Sequence, residues 1–287
     1  MSRILAVHNS HNASICEMND NEIIYFQEGE RLNREKHHFL HACCAFYNSG
    51  LKKSYVFVAD GGGSFDKNNS IEAISLYHFS KNKFKKIFKV YKSTTGKEYI
   101  DGKDFHINTI SFGNLFEITK DCLKYKTEGS VMGLSAYYNF PVDTSAMAFE
   151  KFGHFQISQD RILFIATRAK KEVAAIMCKT RNLCVSGGVF QNTVLNSKLL
   201  DIVPNLYVDP FADDSGLSMG AALWHANQKK YKCSQIKSLY LGDLPNYNML
   251  PLDQGIRVSA KDIAELIAEK NIVAIYQGKN ETGKRAL

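Results

Sequence analysis

Two histidines and two aspartates have the residue types and spacing of a divalent-metal site. His37 and His41 lie four residues apart in the segment His-His-Phe-Leu-His-Ala, so a helix would place both imidazoles on one face. Two histidines at this spacing are by themselves more often a solvated or core pair. Asp60 precedes three glycines and Asp214 precedes a segment typical of a helix start, and both favour the metal site. Imidazole and carboxylate ligands suit iron, zinc or manganese, so the sequence leaves the identity of the metal undecided.

Two glycines lie where a predicted strand meets a predicted helix, in the segment Ser-Gly-Gly-Val-Phe-Gln-Asn that begins at Ser186. Gly187 and Gly188 would allow backbone N–H groups to approach a ribose or phosphate. The alternative is a tight packing turn, and the sequence leaves both open. Residues Glu128 to Leu134 form a predicted flexible turn, in which the Glu128 carboxylate could accept a hydrogen bond from a ribose hydroxyl.

Two further residues have side chains suited to acyl transfer. His11 lies in a predicted loop, where an imidazole near its ordinary pKa could take a proton from an incoming hydroxyl. The alternative is a loop histidine that caps a turn. Lys36 ends a charged segment and could reach a phosphate or carbonyl oxygen, although most such segments are only solvated.

Composition predicts a soluble, folded and reduced protein. The 287 residues are 45% hydrophobic and 23% charged, which is ordinary for a globular chain and excludes global disorder. Seven cysteines, an odd number without Cys-x-x-Cys spacing, favour the cytoplasm. The first residues are too short and too polar for a signal peptide, and we expect no membrane partner.

The formal net charge of +7 raises the question of an anionic partner. Lysines are frequent from Lys81 to Lys103, but they alternate with apolar residues, as on an exposed strand that resists edge pairing. Nucleic acid is therefore not the partner that we expect.

Hydrophobic patterns predict alternating strands and helices. In the first half they predict strands at Ile4–Val7, Ala13–Cys16, Ile23–Glu28 and Tyr55–Asp60, two or three more between Ser70 and Ile107, a helix from His37 to Gly50 and another at Phe112–Leu123. In the second half they predict strands at Leu183–Val185, Leu206–Val208 and Ile272–Tyr276, and helices at Ile162–Thr180, Asn192–Asp201, Ser215–Ala226 and Ala260–Glu269. The order strand, helix, strand after residue 183 predicts a βαβ unit.

The ordered set of motifs resembles the carbamoyltransferase family that includes the antibiotic O-carbamoyltransferases and the nodulation-factor carbamoyltransferases. The matching segments run from His-Asn-Ala-Ser at His11 to Glu-Thr-Gly-Lys-Arg-Ala-Leu at Glu281. Between them lie the charged segment before His37 and the segments around His41, Asp60, Glu128, Ser186 and Asp214.

The resemblance implies an α/β fold of the actin/hexokinase-like (ASKHA) type, with two ribonuclease-H-like lobes. On this basis residues 1–250 form the N-terminal type of domain, with lobes at 1–150 and 151–250. Residues 251–287 would begin a truncated C-terminal domain. Lys36 and His37 are adjacent where the family has a long intervening stretch, so we expect a shortened member.

The resemblance also implies the reaction. A C-terminal domain joins carbamoyl phosphate to ATP to give carbamoyl-adenylate, and the large domain transfers the carbamoyl group to a hydroxyl of a small molecule or sugar. A separate chain would supply the missing C-terminal part. The implied metal ligands are His37, His41, Asp60 and Asp214, with iron as the metal. The implied catalytic residues are His11 and Lys36, and the implied nucleotide contacts are Glu128, Gly129, Gly187, Gly188, Val189 and Asn192.

Two alternatives stay open at this point. One is a transferase of the tRNA threonylcarbamoyl type, which the Glu-x-Gly-x-Arg-Ala-Leu ending disfavours. The other is a nucleotide-binding remnant of the family that has lost catalysis.

Overall fold

The fold was analysed in a computed structural model. It describes residues 3–8, 13–19, 22–29, 36–80, 83–93, 98–100, 103–104, 113, 116, 120–121, 124–134, 182–200, 203–242, 258–275 and 278–282. The predicted helix at Ile162–Thr180, most of the one at Phe112–Leu123 and the predicted base His11 lie outside these residues.

The chain begins with a three-stranded antiparallel meander. Strands β1 (Arg3–His8), β2 (Ala13–Asn19) and β3 (Glu22–Gly29) pair in sequence order. The meander predicted from the alternation of apolar residues is therefore confirmed. Cys16 and Met18 of β2 are buried in a cluster that also contains residues of a later helix, so this small sheet packs against the rest of the fold.

A seven-stranded mixed sheet forms the centre of the fold. Its strands are β4 (Lys53–Ala59), β5 (Ile71–Ser80), β6 (Lys83–Lys92), β7 (Glu98–Ile100), β8 (Lys103–Asp104), β9 (Asn182–Ser186) and β10 (Asn205–Val208). The order is β10-β9-β4-β5-β6-β7-β8, with β10, β9 and β4 parallel and the others antiparallel. The sheet takes strands from both sides of residue 150, and the predicted division into lobes at that position stays a prediction.

Strand β4 is buried on both faces. Tyr55, Phe57 and Ala59 belong to one core cluster, while Val56 and Val58 belong to another on the opposite face. This alternation follows from the two-residue period of a strand, and a continuous apolar segment suits a strand covered on both faces. The carboxyl end of β4 therefore has a fixed position. It lies beside the carboxyl end of its parallel neighbour β9, which in turn lies beside that of β10.

The helices confirm most of the sequence pattern. Helix α1 spans His37–Ser49 and ends at Gly50, whose φ of 67° suits glycine at a helix end. The others are α2 (Glu128–Leu134), α3 (Thr193–Leu200), α4 (Leu217–Gln228) and α5 (Ala260–Ala268). Because β9, α3 and β10 follow one another and the two strands are parallel, the predicted βαβ unit is confirmed.

Two local predictions are wrong. The segment Glu128–Leu134 is a helix and not a flexible turn. Its residue Met132 is buried in the core cluster of β4, and this packing stabilises the helix. The strand predicted at Ile272–Tyr276 is absent from its described residues 272–275, where the backbone forms no regular element. Ile272 is fully exposed, and no strand among the described residues pairs with this apolar segment.

None of the helices in the described part of the chain combines the length and apolarity that a membrane crossing demands.

Helices α1 and α4 pack against each other at a glycine. A Cβ atom added to Gly220 would lie 2.1 Å from the Leu40 carbonyl oxygen and 3.2 Å from the Cys44 amide nitrogen. Both neighbours are backbone atoms of α1, so neither can rotate away. The close contact between these two helices therefore depends on the missing side chain.

We expect Gly220→Ala to destabilise the fold by about 2 kcal/mol, because an overpacked methyl group forces two helices apart. The free energy of unfolding in urea measures the effect. Gly129→Ala is the matched control, since a Cβ there meets only Thr127 Oγ1, at 3.7 Å. Alanine is also the better helix former, so the control should be neutral or slightly stabilising. Equal stability of the two variants would contradict the packing argument.

Candidate metal centre

Four side chains from three elements meet at the carboxyl edge of the central sheet. Helix α1 presents His37 and His41 on one face, and Asp60 follows the last residue of β4. Asp214 begins a short 3₁₀ turn, Asp214–Gly216, that leads into α4. The side chain of Asp213 caps this turn by accepting a hydrogen bond from the Ser215 amide. The structure thus brings together all four residues that the sequence singled out as metal ligands.

The distances between these side chains are short. Nε2 of His37 lies 2.9 Å from Asp60 Oδ2 and 3.1 Å from Asp214 Oδ1. Nε2 of His41 lies 3.4 Å and 3.6 Å from the same two oxygens and 3.2 Å from Nε2 of His37. One ligand atom from each of the four residues lies within 4.8 Å of the others. Both histidines are fully buried, and Asp214 is 4% exposed.

These separations fit a shared cation better than direct hydrogen bonds. Nε2 of His37 contacts two carboxylate oxygens and another ring nitrogen, but a ring nitrogen carries at most one proton. A metal with ligands at about 2.0–2.2 Å holds adjacent ligand atoms about 3.0–3.5 Å apart in octahedral or tetrahedral geometry. The donor set, two imidazoles and two carboxylates, is therefore suited in chemistry and in spacing to one divalent ion.

The electrostatics of the cluster favour positive charge. Burial lowers the pKa of His37, but the carboxylates of Asp214 and Asp60 raise it more, to about 10. Burial raises the pKa of Asp60, but hydrogen bonds to His37 and His41 bring it well below the ordinary value. Two carboxylates held in a largely buried space are stabilised only by nearby positive charge, which a divalent ion would supply.

Asp60 connects the cluster to the glycine turn after β9. Its Oδ2 atom faces the histidines, while its Oδ1 atom accepts hydrogen bonds from the amides of Gly61 (2.8 Å) and Gly188 (3.2 Å). A Cβ added to Gly188 would lie 3.0 Å from Asp60 Oδ1. The predicted nucleotide-binding turn therefore contacts a predicted metal ligand directly, because the Gly188 amide donates a hydrogen bond to the Asp60 carboxylate.

Gly187 and Asn192 have structural roles that the sequence left undecided. Gly187 has a φ of 95°, and a Cβ there would lie 2.2 Å from the Ala59 carbonyl oxygen. The strained angle and the close approach both require glycine at this point. The Asn192 side chain accepts a hydrogen bond from the Leu195 amide and so caps α3. The packing explanation of the turn is thus present, and nucleotide binding stays a prediction.

The other predicted nucleotide contacts lie on α2 and on the 3₁₀ turn Gly188–Gln191. Val189 and Met132 are buried in one core cluster, so α2 and this turn pack on the same face of the sheet. Glu128, in the first turn of α2, forms an ion pair with Lys120 at 2.8 Å. Gly129 follows it in the helix. Their contact with a nucleotide stays a prediction.

Lys36 immediately precedes the first histidine and is exposed. Its backbone has a φ of 61°, in the left-handed region that residues other than glycine rarely adopt. Its carbonyl oxygen accepts a hydrogen bond from the Leu40 amide. The amide of His37 donates to Ser64 Oγ at 3.0 Å, so the loop after β4 holds the start of α1. Lys36 therefore stands at the start of the helix that carries His37 and His41.

Sequence analysis missed the roles of several residues that support the site. Ser186 and Asp209 are buried beside His41, and a Cβ on Gly113 would lie 2.2 Å from Gly61 Cα. A signal for Asp209 was present, because it follows strand β10 just as Asp60 follows β4, and parallel strands end at the same edge of a sheet. No local pattern marks Gly113.

A solved structure supports the fold. Full-length HypF in its phosphate- and nucleotide-bound form is 12% identical, with a TM-score of 0.52 over 82% of this chain and 56% of HypF. At such low identity the structural similarity supports the fold alone. The predicted α/β fold of the actin/hexokinase-like type is confirmed.

Similarity to known sequences supports the family. Nodulation protein NolO of Bradyrhizobium diazoefficiens is 27% identical over 88% of this chain and 51% of its own length. Nodulation protein NolNO of Sinorhizobium fredii is 26% identical over 90% of this chain and 42% of its own length. The chain thus spans about half the length of the curated relatives it matches. The family model described as the carbamoyltransferase N-terminus matches residues 119–223. These matches confirm the resemblance of the motifs to the carbamoyltransferase family.

Proposed function

We propose that the protein transfers a carbamoyl group from carbamoyl-adenylate to a hydroxyl of a small-molecule or sugar acceptor at a divalent-metal site. The observation that carries the proposal is the convergence of His37, His41, Asp60 and Asp214 within 4.8 Å of one another. The similarity to the carbamoyltransferase family supports the reaction type, and the contact between Asp60 and the Gly188 amide supports a nucleotide site next to the metal site.

The four clustered side chains are the proposed ligands of the ion, and iron is the metal implied by the family resemblance. A bound ion would supply Lewis-acid polarisation of the carbamoyl carbonyl and positive charge to offset the charge of the departing AMP. The ordinary affinities of imidazole and carboxylate also admit zinc or manganese. Elemental analysis of the purified protein would therefore identify the metal.

The proposed transfer exchanges one bond to the carbamoyl carbon for another. The acceptor hydroxyl oxygen attacks that carbon, the bond to the phosphate oxygen breaks, and AMP leaves with the electron pair. His11 takes the hydroxyl proton, and Lys36 contacts the activated carbamoyl group. The exposed Lys36 side chain is next to His37 in the sequence, which supports a role in offsetting the negative charge that develops on the carbamoyl group.

The adenylate is proposed to lie against the turn after β9 and the start of α2. Its proposed contacts are Gly187, Gly188, Val189, Asn192, Glu128 and Gly129. The packing of Val189 and Met132 in one cluster supports a common surface. Carbamoyl phosphate and ATP are the proposed precursors of the donor, and a separate chain is the proposed partner that joins them.

Loss of one ligand should abolish tight metal binding. We expect His41→Ala to weaken binding by more than about 100-fold, since loss of outer hydrogen-bond partners alone costs 10–100-fold. Elemental analysis and a cobalt titration of the purified protein measure the effect. His225→Ala, on an exposed position of α4, is the matched control and should bind like the parent. Equal metal content in the parent and His41→Ala would remove the ligand assignment.

Replacement of Lys36 should separate stability from catalysis. Lys36→Gly relieves a left-handed backbone that costs about 1–2 kcal/mol for a residue with a side chain, so the variant should unfold at a higher urea concentration. It also removes the proposed contact with the carbamoyl group, so transfer should fall. Lys230→Gly is the control, because Lys230 has a φ of 60° at the end of α4. It should gain stability without losing activity.

Full activity in Lys36→Gly would exclude the catalytic role of this side chain, whatever its stability.

Two donors distinguish the proposed transfer from the open alternatives. We expect a carbamoylated hydroxyl product when the metal-loaded protein receives carbamoyl-adenylate and a panel of sugar and small-molecule acceptors, detected by mass spectrometry. ATP with carbamoyl phosphate is the second arm, and turnover only with the adenylate supports a chain that performs the transfer step. Binding of the adenylate without turnover, across the whole panel, would instead favour the non-catalytic remnant.

A further inference from the structure

We infer that Asp209 acts through Ser186 as a positioning residue that fixes the ring of His41 with an unprotonated Nε2 atom towards the metal. The inference deepens the proposed function and rests on it. Nδ1 of His41, on the side of the ring opposite the cluster, lies 3.4 Å from Ser186 Oγ. Ser186 Oγ in turn lies 2.9 Å from Asp209 Oδ2. All three residues are at most 2% exposed.

The topology of the sheet produces this chain of contacts. Ser186 is the last residue of β9, and Asp209 follows β10, its parallel neighbour. The Asp209 amide donates to the Val185 carbonyl at 3.0 Å, which continues the pairing of the two strands by one residue. Both side chains therefore stand at the carboxyl edge of the sheet, beneath the helix that carries His41.

Proton accounting fixes the direction of each hydrogen bond. An ionised carboxylate only accepts, so Ser186 must donate its single hydroxyl proton to Asp209. Ser186 then has only lone pairs to offer His41, and Nδ1 of His41 must carry the proton. In the neutral imidazole this leaves Nε2 with its lone pair, directed at the cluster. The contacts thus select the one neutral tautomer that can bind a metal through Nε2.

The charge on Asp209 is maintained by its surroundings. Oδ1 accepts from the Phe211 amide at 3.1 Å and from Cys44 Sγ at 3.7 Å, and Cys44 lies on the same helix as His41. Burial raises the pKa of Asp209 to about 6, so the carboxylate is mostly ionised at neutral pH. An unpaired buried carboxylate would be costly, and here each oxygen has a hydrogen-bond donor.

The consequence is a larger affinity of the site for its ion. A carboxylate behind a metal-binding histidine fixes the ring orientation and raises the basicity of the ligating nitrogen, and loss of such a partner costs about 10–100-fold in metal affinity. Asp209 does not touch the cluster itself. Its effect must therefore appear in metal binding and disappear when the hydroxyl of Ser186 is removed.

The test compares dissociation constants for Co²⁺ in metal-free protein, measured by competition with a chromophoric chelator. We expect Ser186→Ala and Asp209→Asn each to weaken binding by about 10–100-fold. Ser186→Thr keeps the hydroxyl and should restore binding close to that of the parent. Ser54→Ala is the matched control, because Ser54 is also fully buried but its hydroxyl bonds to the Tyr55 carbonyl and Cys184 instead.

Each result tests either the positioning role of Asp209 and Ser186 or the metal site on which that role rests. If the parent binds Co²⁺ and Ser186→Ala binds equally well, the positioning role is overturned while the metal site stands. If the parent binds no metal, both are overturned. Equal weakening by Ser54→Ala would reduce the effect to a loss of stability and also overturn the inference. Thermal unfolding without metal confirms folding, and Asp209→Asn provides the same comparison should Ser186→Ala fail to fold.

Discussion

The site depends on two carboxylates held against two imidazoles in a space with little access to water. Asp60 and Asp214 would repel each other and lose hydration there if nothing positive lay between them. The depressed pKa of Asp60 and the raised pKa of His37 are two expressions of this constraint. The same charge pattern, which is costly in a core without a counter-charge, would favour binding of the proposed divalent ion.

The surrounding fold can be understood as the means of keeping these charges in place. Apolar residues on both faces of β4 fix the point where Asp60 emerges, and the tight packing of α1 on α4 at Gly220 fixes the histidines relative to Asp214. Close backbone approach recurs at Gly187, where the turn after β9 contacts the end of β4. Larger residues at these glycine positions would separate the elements that carry the four clustered side chains.

Sequence alone identified the four clustered residues because their signals are local. Histidines at helical spacing, an aspartate at a strand end and an aspartate at a helix start each follow from a few neighbouring residues. Contacts across the sheet gave no such signal, so the Ser186 and Asp209 pair and the use of the Gly188 amide by Asp60 were not foreseen. The wrong turn at Glu128 and the wrong strand at Ile272 have the same cause, since each outcome depends on whether a distant surface covers the segment.

The parallel pairing of β4 with β9 has a consequence for how the protein acquires its site. Asp60 and Asp214 are 154 positions apart in the sequence, and they meet only after a strand from each half has joined the other. Contacts of such long sequence separation form slowly, because a large loop must close before any of them contributes stability. During synthesis the histidines and the first aspartate leave the ribosome long before the second aspartate does. The four side chains therefore come together late, and only in molecules whose chain has reached its final topology.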